Sequence, residues 1–201
     1  MSGWPVELRG GDVTLRPLRR GDRTAWARLR SANAGWLERW EATPPAGSSA
    51  PPSFPAMVRE LRTQARQGHA LPFVVEHHGR MVGQLTVAGI TWGSLRSGTV
   101  GYWVDRRVAG RGIMPTAVAL VTDHCFRSLG LHRVEVNIRP ENAPSLRVVE
   151  KLGFRDEGLR RAYLHIDGGW RDHRTFALVA EEVPEGVLAR WLATRPPPGS
   201  S

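Results

Sequence analysis

A short glycine and arginine segment, RRVAGRGIM, carries the most specific chemistry in this sequence. Gly110 and Gly112 lie among Arg106, Arg107 and Arg111, just before a long apolar run that predicts a helix. Glycine permits a positive φ angle or a close backbone approach, and a helix N-terminus offers free N–H groups and a positive dipole end. The segment therefore predicts a cationic turn that binds an anion, and a pyrophosphate suits it.

Two familiar phosphate-binding motifs do not match this turn. A nucleoside triphosphate P-loop ends in Gly-Lys followed by Ser or Thr, and this segment has no lysine. A dinucleotide-binding motif has a third glycine three residues after the second, where this chain has Pro115. An ordinary glycine-containing turn between a strand and a helix, on a basic surface, stays open as the alternative to an anion cradle.

The neighbouring patterns predict the elements that position the turn. SGTVGYWVD is rich in strand formers, and the run from Ile113 has helical apolar spacing as far as Gly130. HRVEVNI alternates like a strand and leads to PENAPS, where Asn142 is the predicted N-cap of a helix that ends at Gly153. The centre of the chain is therefore predicted to be βαβα.

The flanking segments predict further elements and one long loop. VTLRP is predicted to be a strand, Asp22 the N-cap of the next helix, and PFVVEHHGRMVGQLTVAG a hairpin that turns at HGR. Residues 43–55 are rich in Pro and Ser, which predicts a lid, a substrate loop or a disordered segment, followed by a helix near residues 57–67. PEGVLARWLA predicts a short helix and RPPPGSS a disordered tail.

Composition limits the class of protein. The chain has 201 residues, 41% of them hydrophobic, so we expect one domain over residues 1–183, with a short helix and a disordered tail over 184–201. Its single cysteine excludes an intramolecular disulfide and a Cys-based zinc site. The sequence shows no apolar signal segment and no membrane span, so we expect a cytoplasmic protein with no membrane partner.

The net charge of +9 indicates an anionic partner. All 28 basic residues except Lys151 are arginine, which a coding bias would also produce. The charge fits a polyanionic ligand, an acidic protein or a nucleoprotein surface and does not choose between them. The adjacent His77 and His78 at the predicted hairpin turn are interpreted as solvated, and no metal is expected.

RRVAGRGIM resembles the acetyl-CoA pyrophosphate loop of the GCN5-related N-acetyltransferases (GNAT), with its Arg-x-x-Gly-x-Gly pattern. The resemblance continues through LRPLRRGD, GYWVD, NIRPENAPSLRVVEKLGF and EGLRRAYLHIDGGWRDHRTFAL, over roughly residues 12–180, and is greatest to the RimJ-type branch, the ribosomal-protein alanine N-acetyltransferases. It implies an α/β (α+β) GNAT fold. The expected sheet is single, mixed and mostly antiparallel, with about seven strands splayed in the middle, flanked by about four helices plus a short C-terminal helix.

The resemblance also implies the residues that bind acetyl-CoA. A gap between the strand ending at Val104 and the strand containing Asn137 would take the pantetheine arm. The pyrophosphate would lie on residues 107–112, facing the dipole of the following helix. Asn142 would contact pantetheine, with plain helix capping as its alternative role. The implied set comprises Trp103, Val104, Arg107, Val108, Ala109, Gly110, Arg111, Gly112, Ile113, Asn137, Asn142 and Ser145.

The implied reaction is direct attack of a neutral amine on the acetyl carbonyl, with CoA thiolate leaving. Ser145 would lie near the thioester sulfur and is the candidate acid. The general base is unassigned, because no Asp or Glu occurs between Glu76 and Asp105 and because Ala162 stands where some relatives have a carboxylate. Glu135 is a candidate base, a water relay is equally open, and an ordinary surface role for Glu135 is the alternative.

The acceptor is the least specified part. The RimJ-type resemblance implies a protein N-terminal α-amino group, on a ribosomal protein, and the alternative is a small-molecule amine such as an antibiotic or a polyamine. Its site would be shaped by the loop around residues 46–53 and by residues 163–170. A non-catalytic basic module that binds ribosomes or RNA, with CoA as a structural ligand, is the other class. No platform of aromatic and basic residues that would bind single-stranded nucleic acid supports this class, so we expect no direct nucleic-acid partner. We expect the protein to be a monomer or a homodimer.

Overall fold

The computed structural model describes residues 4–45 and 52–194 and contains one sheet of eight strands. The strands are β1 (Leu8–Gly10), β2 (Val13–Pro17), β3 (Leu71–His77), β4 (Arg80–Thr91), β5 (Ser97–Val104), β6 (Arg133–Ile138), β7 (Arg155–Ile166) and β8 (Gly169–Val179). Their order is β1-β2-β3-β4-β5-β6-β8-β7, and only the β5–β6 pair is parallel. The mixed, mostly antiparallel sheet is confirmed, with one strand more than expected.

The helices surround this sheet. Within the described residues they are α1 (Arg23–Ala32), α2 (Ala34–Leu37), α3 (Phe54–Arg66), α4 (Ile113–Arg127), α5 (Ala143–Leu152) and α6 (Val187–Ala193). Helix α3 begins three residues before its predicted start, because Pro55 is accommodated in its first turn. The predicted loop therefore ends at Ser53. Its residues 46–51, and the predicted disordered tail at 195–201, lie outside the described residues.

The sheet separates in the middle, as expected. Strands β5 and β6 pair only between residues 97–99 and 133–135. Beyond this point β5 stays paired with β4 as far as Val104, and β6 stays paired with β8 as far as Ile138. Residues 100–104 thus have no described strand partner on the β6 side, so their backbone groups there are available to a ligand.

Helix α4 lies inside the main hydrophobic core rather than on its surface. The sequence predicted a helix with helical apolar spacing, but most of the helix is buried, because strands pack on one side and α5 and α6 on the other. Ala117, Val118, Val121 and Cys125 are fully buried. Burial raises the pKa of the Cys125 thiol to about 12.

The C-terminal helix α6 is part of the same core. Its Trp191 donates from Nε1 to the Thr116 hydroxyl of α4 at 2.9 Å. Asp123 of α4 accepts from the backbone N–H groups of Val187 and Leu188, at 2.7 and 3.0 Å, and so caps the start of α6. No helix among residues 4–45 and 52–194 is long and apolar enough to cross a membrane.

The predicted cap of α1 is only partly correct. Asp22 occupies the N-cap position, but its side chain makes no capping hydrogen bond to the helix. Its carboxylate instead binds the Arg16 guanidinium through two bonds of 2.9 Å and the Arg19 N–H at 2.7 Å. Burial alone would raise the pKa of Asp22, but these hydrogen bonds outweigh the effect of burial and lower the pKa below its usual value. The ion pair fixes the start of α1 against β2.

Candidate active site

A cavity of about 490 Å³ opens where β5 and β6 separate. It is lined by Gln84 and Thr86, which alternate with the buried Leu85 on β4 and lie on the α1 side of the sheet. It is also lined by the first residues of α4, on the opposite side of the sheet. The cavity therefore passes through the sheet and has two sides, one at α4 and α5 and one at α1 and α2.

The predicted anion-binding turn forms part of the wall. Gly112 is the N-cap of α4 with φ of 81°, and Gly110 has φ of 83°, so both need the freedom of glycine. Thr116 already donates its N–H to the Gly112 carbonyl at 3.1 Å. The N–H groups of Ile113 and Met114, one turn earlier, have no acceptor within the helix and are available to an anion.

Most of the predicted cofactor-binding residues line this cavity. Those that do so are Trp103, Val104, Val108, Ala109, Gly110, Gly112, Ile113, Asn142 and Ser145. Of the residues that the structure describes, Arg107, Arg111 and Asn137 were also predicted but do not contribute to the lining. The cavity thus gathers the turn, the end of β5 and the start of α5 at one place, and their role in binding acetyl-CoA stays a prediction.

A buried polar pair, which the sequence analysis did not identify, holds the turn in place. Asp105 is 4% exposed and accepts from the Arg107 N–H at 3.1 Å, from Arg107 Nη2 at 2.6 Å and from Asn33 Nδ2 at 3.2 Å. Asn33 is 3% exposed, accepts from the Arg106 N–H at 2.9 Å and donates to the Leu29 carbonyl at 2.9 Å. The end of α1 is therefore tied directly to the turn.

The charge of Asp105 is maintained by this network. Burial would raise the pKa of Asp105, but hydrogen bonds from Arg107 and Asn33 outweigh burial and lower it below its usual value. The Arg107 guanidinium is occupied by Asp105, although 74% of the side chain remains exposed. Arg107 is therefore placed to brace the turn, and its predicted contact with a phosphate requires the donors that Asp105 leaves free.

The start of α5 brings two polar side chains to the cavity, where they meet Tyr102 of β5. Asn142 caps the helix as predicted, its Oδ1 accepting from the Ser145 N–H at 3.2 Å. The Tyr102 hydroxyl donates to the Ser145 carbonyl at 3.4 Å. Burial raises the pKa of Tyr102 above its usual range, so the phenol is protonated at neutral pH. Asn142, Ser145 and Tyr102 all line the cavity, and their chemical roles stay predictions.

The two candidates on β6 are engaged elsewhere. Asn137 accepts from the Thr175 hydroxyl at 2.7 Å and donates to the Tyr163 hydroxyl at 3.4 Å. The Glu135 carboxylate is held by Arg133 at 2.7 Å and by Arg160 at 3.2 Å. A general base needs a lone pair directed at the substrate, and Glu135 does not line the cavity within the described chain. Its role as base stays a prediction that this geometry does not support.

The opposite side of the cavity is formed by Trp36, Leu37, Trp40 and Glu41. The chain that follows is fixed to the tip of β7: Ala42 forms a bridge with Ile166, and the Thr43 N–H donates to the His165 carbonyl at 2.8 Å. The chain that leads into the predicted acceptor loop is thus joined to residues 163–170 at this edge. The part of the predicted lid at residues 46–51 lies outside the described residues.

A second polar cluster lies away from the cavity, at the turn between β3 and β4. Asp12, His77 and His78 bring their ligand atoms within 4.8 Å of one another, an arrangement that is able to hold a metal ion. Asp12 and His78 are exposed. We retain the interpretation that these histidines are solvated, because exposed groups of this kind commonly occur without a metal.

Comparison with known proteins gives matches over most of the chain. The family model described as acetyltransferase (GNAT) domain matches residues 12–155. The probable N-acetyltransferase YjcK of Bacillus subtilis is 30% identical over 174 residues, 86% of this chain and 96% of that protein. The ribosomal protein uS5 alanine N-acetyltransferase of Escherichia coli is 28% identical over 169 residues, 82% of this chain and 87% of that protein.

A solved structure matches more closely still. RimJ of Mycobacterium smegmatis, in complex with CoA-disulfide, has 45% sequence identity and a TM-score of 0.87, and the match covers 95% of each chain. The similarity therefore extends from the sheet and the turn to the start of α5 and the β7–β8 hairpin.

Proposed function

Because this chain belongs to the GNAT acetyltransferase family and is an acetyl-CoA-dependent N-acetyltransferase, we propose that its acceptor is the N-terminal α-amino group of a ribosomal protein. The observation that carries the proposal is similarity to RimJ over nearly the full length of both chains. The uS5 alanine N-acetyltransferase, whose name states the acceptor, also matches most of this chain.

The residues around the cavity suit acetyl-CoA. We propose that Gly110, Gly112 and the free N–H groups at the start of α4 hold the pyrophosphate, where the helix dipole favours negative charge. The open backbone of residues 100–104 would bind the pantetheine arm. When bound, acetyl-CoA supplies the activated acetyl thioester. The residues of the chain hold the two reactants in position.

Two hydroxyl groups on the cavity wall are our candidates to assist the reaction. We propose that Ser145, on the cavity wall, donates a proton to the leaving sulfur, as its place beside the Asn142 cap suggests. The phenol of Tyr102 stays protonated and lies on the same wall, so it offers a second donor. An α-amino group has an ordinary pKa near 8, which leaves part of it neutral at pH 7 and places only a modest demand on a base. A water relay meets that demand.

The proposal is tested by measuring thiol release from acetyl-CoA with a panel of acceptors. The panel contains a uS5 N-terminal peptide beginning with Ala, a peptide beginning with Ser, a polyamine and an aminoglycoside. The Ala peptide with a blocked N-terminus is the matched control. We expect release with the free peptide and none with the blocked one, and mass spectrometry should place the acetyl group on the first residue. Preference for the polyamine or the aminoglycoside would overturn the acceptor proposal.

The alternative class makes a different prediction in the same assay. A basic module without catalysis would release no thiol with any acceptor and would bind RNA in a salt-sensitive way. The cavity favours catalysis, because it joins the turn to an opening on the other side of the sheet. The oligomeric state, monomer or homodimer, and the cytoplasmic location stay predictions.

A further inference from the structure

One carboxylate lines the cavity on the wall formed by α2 and the residues after it. Glu41 is the only Asp or Glu among the described residues that line it. It follows α2, beside Trp40, and lies on the part of the wall that Trp36, Leu37 and Trp40 also form. The segment after Glu41 is fixed to the tip of β7 through Thr43 and His165, and α2 precedes it. The backbone of Glu41 is therefore anchored both before and after this residue.

Glu41 is held in place by Arg30 of α1. The two terminal nitrogens of the guanidinium, Nη1 and Nη2, donate to the two carboxylate oxygens, and the side chains are 28% and 31% exposed. Arg30 in turn packs over the rings of Trp26 and Trp103, with its Cζ at 5.6 and 5.5 Å from the ring centroids. A carboxylate oxygen has a second lone pair, so this bidentate pair leaves Glu41 able to accept another hydrogen bond from the cavity.

Among the described residues, the other charged side chains that line the cavity are the cations Arg147 and Lys151. Arg39 lies over the Trp40 ring, at 4.7 Å from its centroid, whereas Arg139, at 5.5 Å, is paired with Glu141. An amine arrives mainly as an ammonium ion at neutral pH, because its pKa is above 7. These cations would repel an ammonium ion, and a negative group near its path is needed to offset the repulsion.

We propose that Glu41, oriented by Arg30, binds the ammonium group of the acceptor and positions it for attack on the acetyl group. This inference rests on the proposed function, and it assigns Glu41 to substrate binding rather than to proton transfer. The proton that the ammonium ion loses before attack passes to solvent. Trp36 and Trp40 form an apolar wall beside the carboxylate, which suits a small first side chain.

The test compares the affinities of two peptides in the presence of CoA. One begins with Ala and the other is its des-amino analogue, in which a propionyl group replaces the alanyl group. We expect wild type to bind the amino peptide about 10- to 100-fold more tightly, the usual range for a hydrogen bond to a charged group. In Glu41→Gln the ratio should fall close to one. The acceptor KM should rise by a similar factor while CoA affinity is unchanged.

The control is Glu38→Gln, which removes an exposed carboxylate from the same turn and should keep the wild-type ratio. A second variant, Arg30→Met with Glu41→Met, removes both charges without leaving an unpaired one, so it remains informative if Glu41→Gln does not fold. Its ratio should also fall close to one. A merely structural ion pair would lower stability in Glu41→Gln and leave the ratio intact.

The outcomes separate this inference from the proposed function. Peptide turnover with an unchanged affinity ratio in the folded variants would overturn the role of Glu41 and leave the proposed function standing. If wild type prefers a polyamine, the acceptor proposal fails. The Glu41 inference then predicts a similar rise in KM for that amine, and an unchanged KM would overturn it. Absence of turnover with every amine would overturn both.

Discussion

Replacement of Asn33 by alanine tests whether a buried side chain that does not line the cavity sets the geometry of the turn. The Asn33 side chain makes three hydrogen bonds, to the Leu29 carbonyl, the Asp105 carboxylate and the Arg106 N–H. At a net contribution of about 1 kcal/mol each, their loss should reduce the free energy of unfolding by about 3 kcal/mol. For a chain of this size that corresponds to a melting temperature lower by roughly 6–12 °C.

The same substitution should weaken acetyl-CoA binding. Without Asn33, the Arg106 N–H loses its acceptor and Asp105 loses one donor, so the turn is held by fewer bonds. We expect about tenfold weaker acetyl-CoA binding by calorimetry, equal to ~1.4 kcal/mol, and an unchanged acceptor KM at saturating acetyl-CoA. Ser31→Ala, at an exposed position of the same helix, is the control. Wild-type stability and affinity in Asn33→Ala would refute the view that this residue anchors the turn.

Three further predictions concern the turn, the start of α5 and β7. Gly112→Glu introduces a charged side chain at a φ of 81° and should weaken acetyl-CoA binding by roughly 100-fold in calorimetry. Gly110→Ala, at a φ of 83° with open space around the new methyl group, is its control for strain, and full affinity in a folded Gly112→Glu would mean that the turn binds something else. Ser145→Ala should lower kcat by at most about 10²-fold with little change in acetyl-CoA affinity, and an unchanged single-turnover rate at an unchanged melting temperature would exclude Ser145 from catalysis. Glu157→Gln removes a carboxylate whose pKa Arg133 lowers from 4.5 to about 2. Because the folded pKa is the lower one, wild type should exceed the variant in stability above about pH 4.5 and lose that advantage towards pH 2, and a pH-independent difference in urea unfolding would contradict this.

Local rules explain why the sequence predicted the turn and the start of α5. A positive φ at Gly110 and Gly112 and the N-cap at Asn142 depend on residues within one helical turn. The strands next to them follow from alternation, and the splayed sheet followed from the family resemblance. Together these features define the part of the cavity that we predict to bind acetyl-CoA.

Long-range contacts explain what the sequence did not predict. Asn33 and Asp105 are separated by 72 positions, and no local pattern couples them. The same applies to Glu41, whose place in the cavity depends on Arg30 and on the tip of β7. Asp22 shows the converse, because a local rule assigned it to a helix cap while Arg16 occupies its carboxylate.

The buried thiol of Cys125 provides a way to measure opening of the core around α4. The side chain is fully buried in α4, and its pKa of about 12 leaves almost no reactive thiolate at neutral pH. A thiol-specific dye therefore registers only released CoA while the core is closed. Labelling of the single cysteine, followed over hours, measures how often the core around α4 is exposed to solvent. A comparison of that rate with and without CoA would show whether ligand binding at the start of α4 suppresses opening along its length.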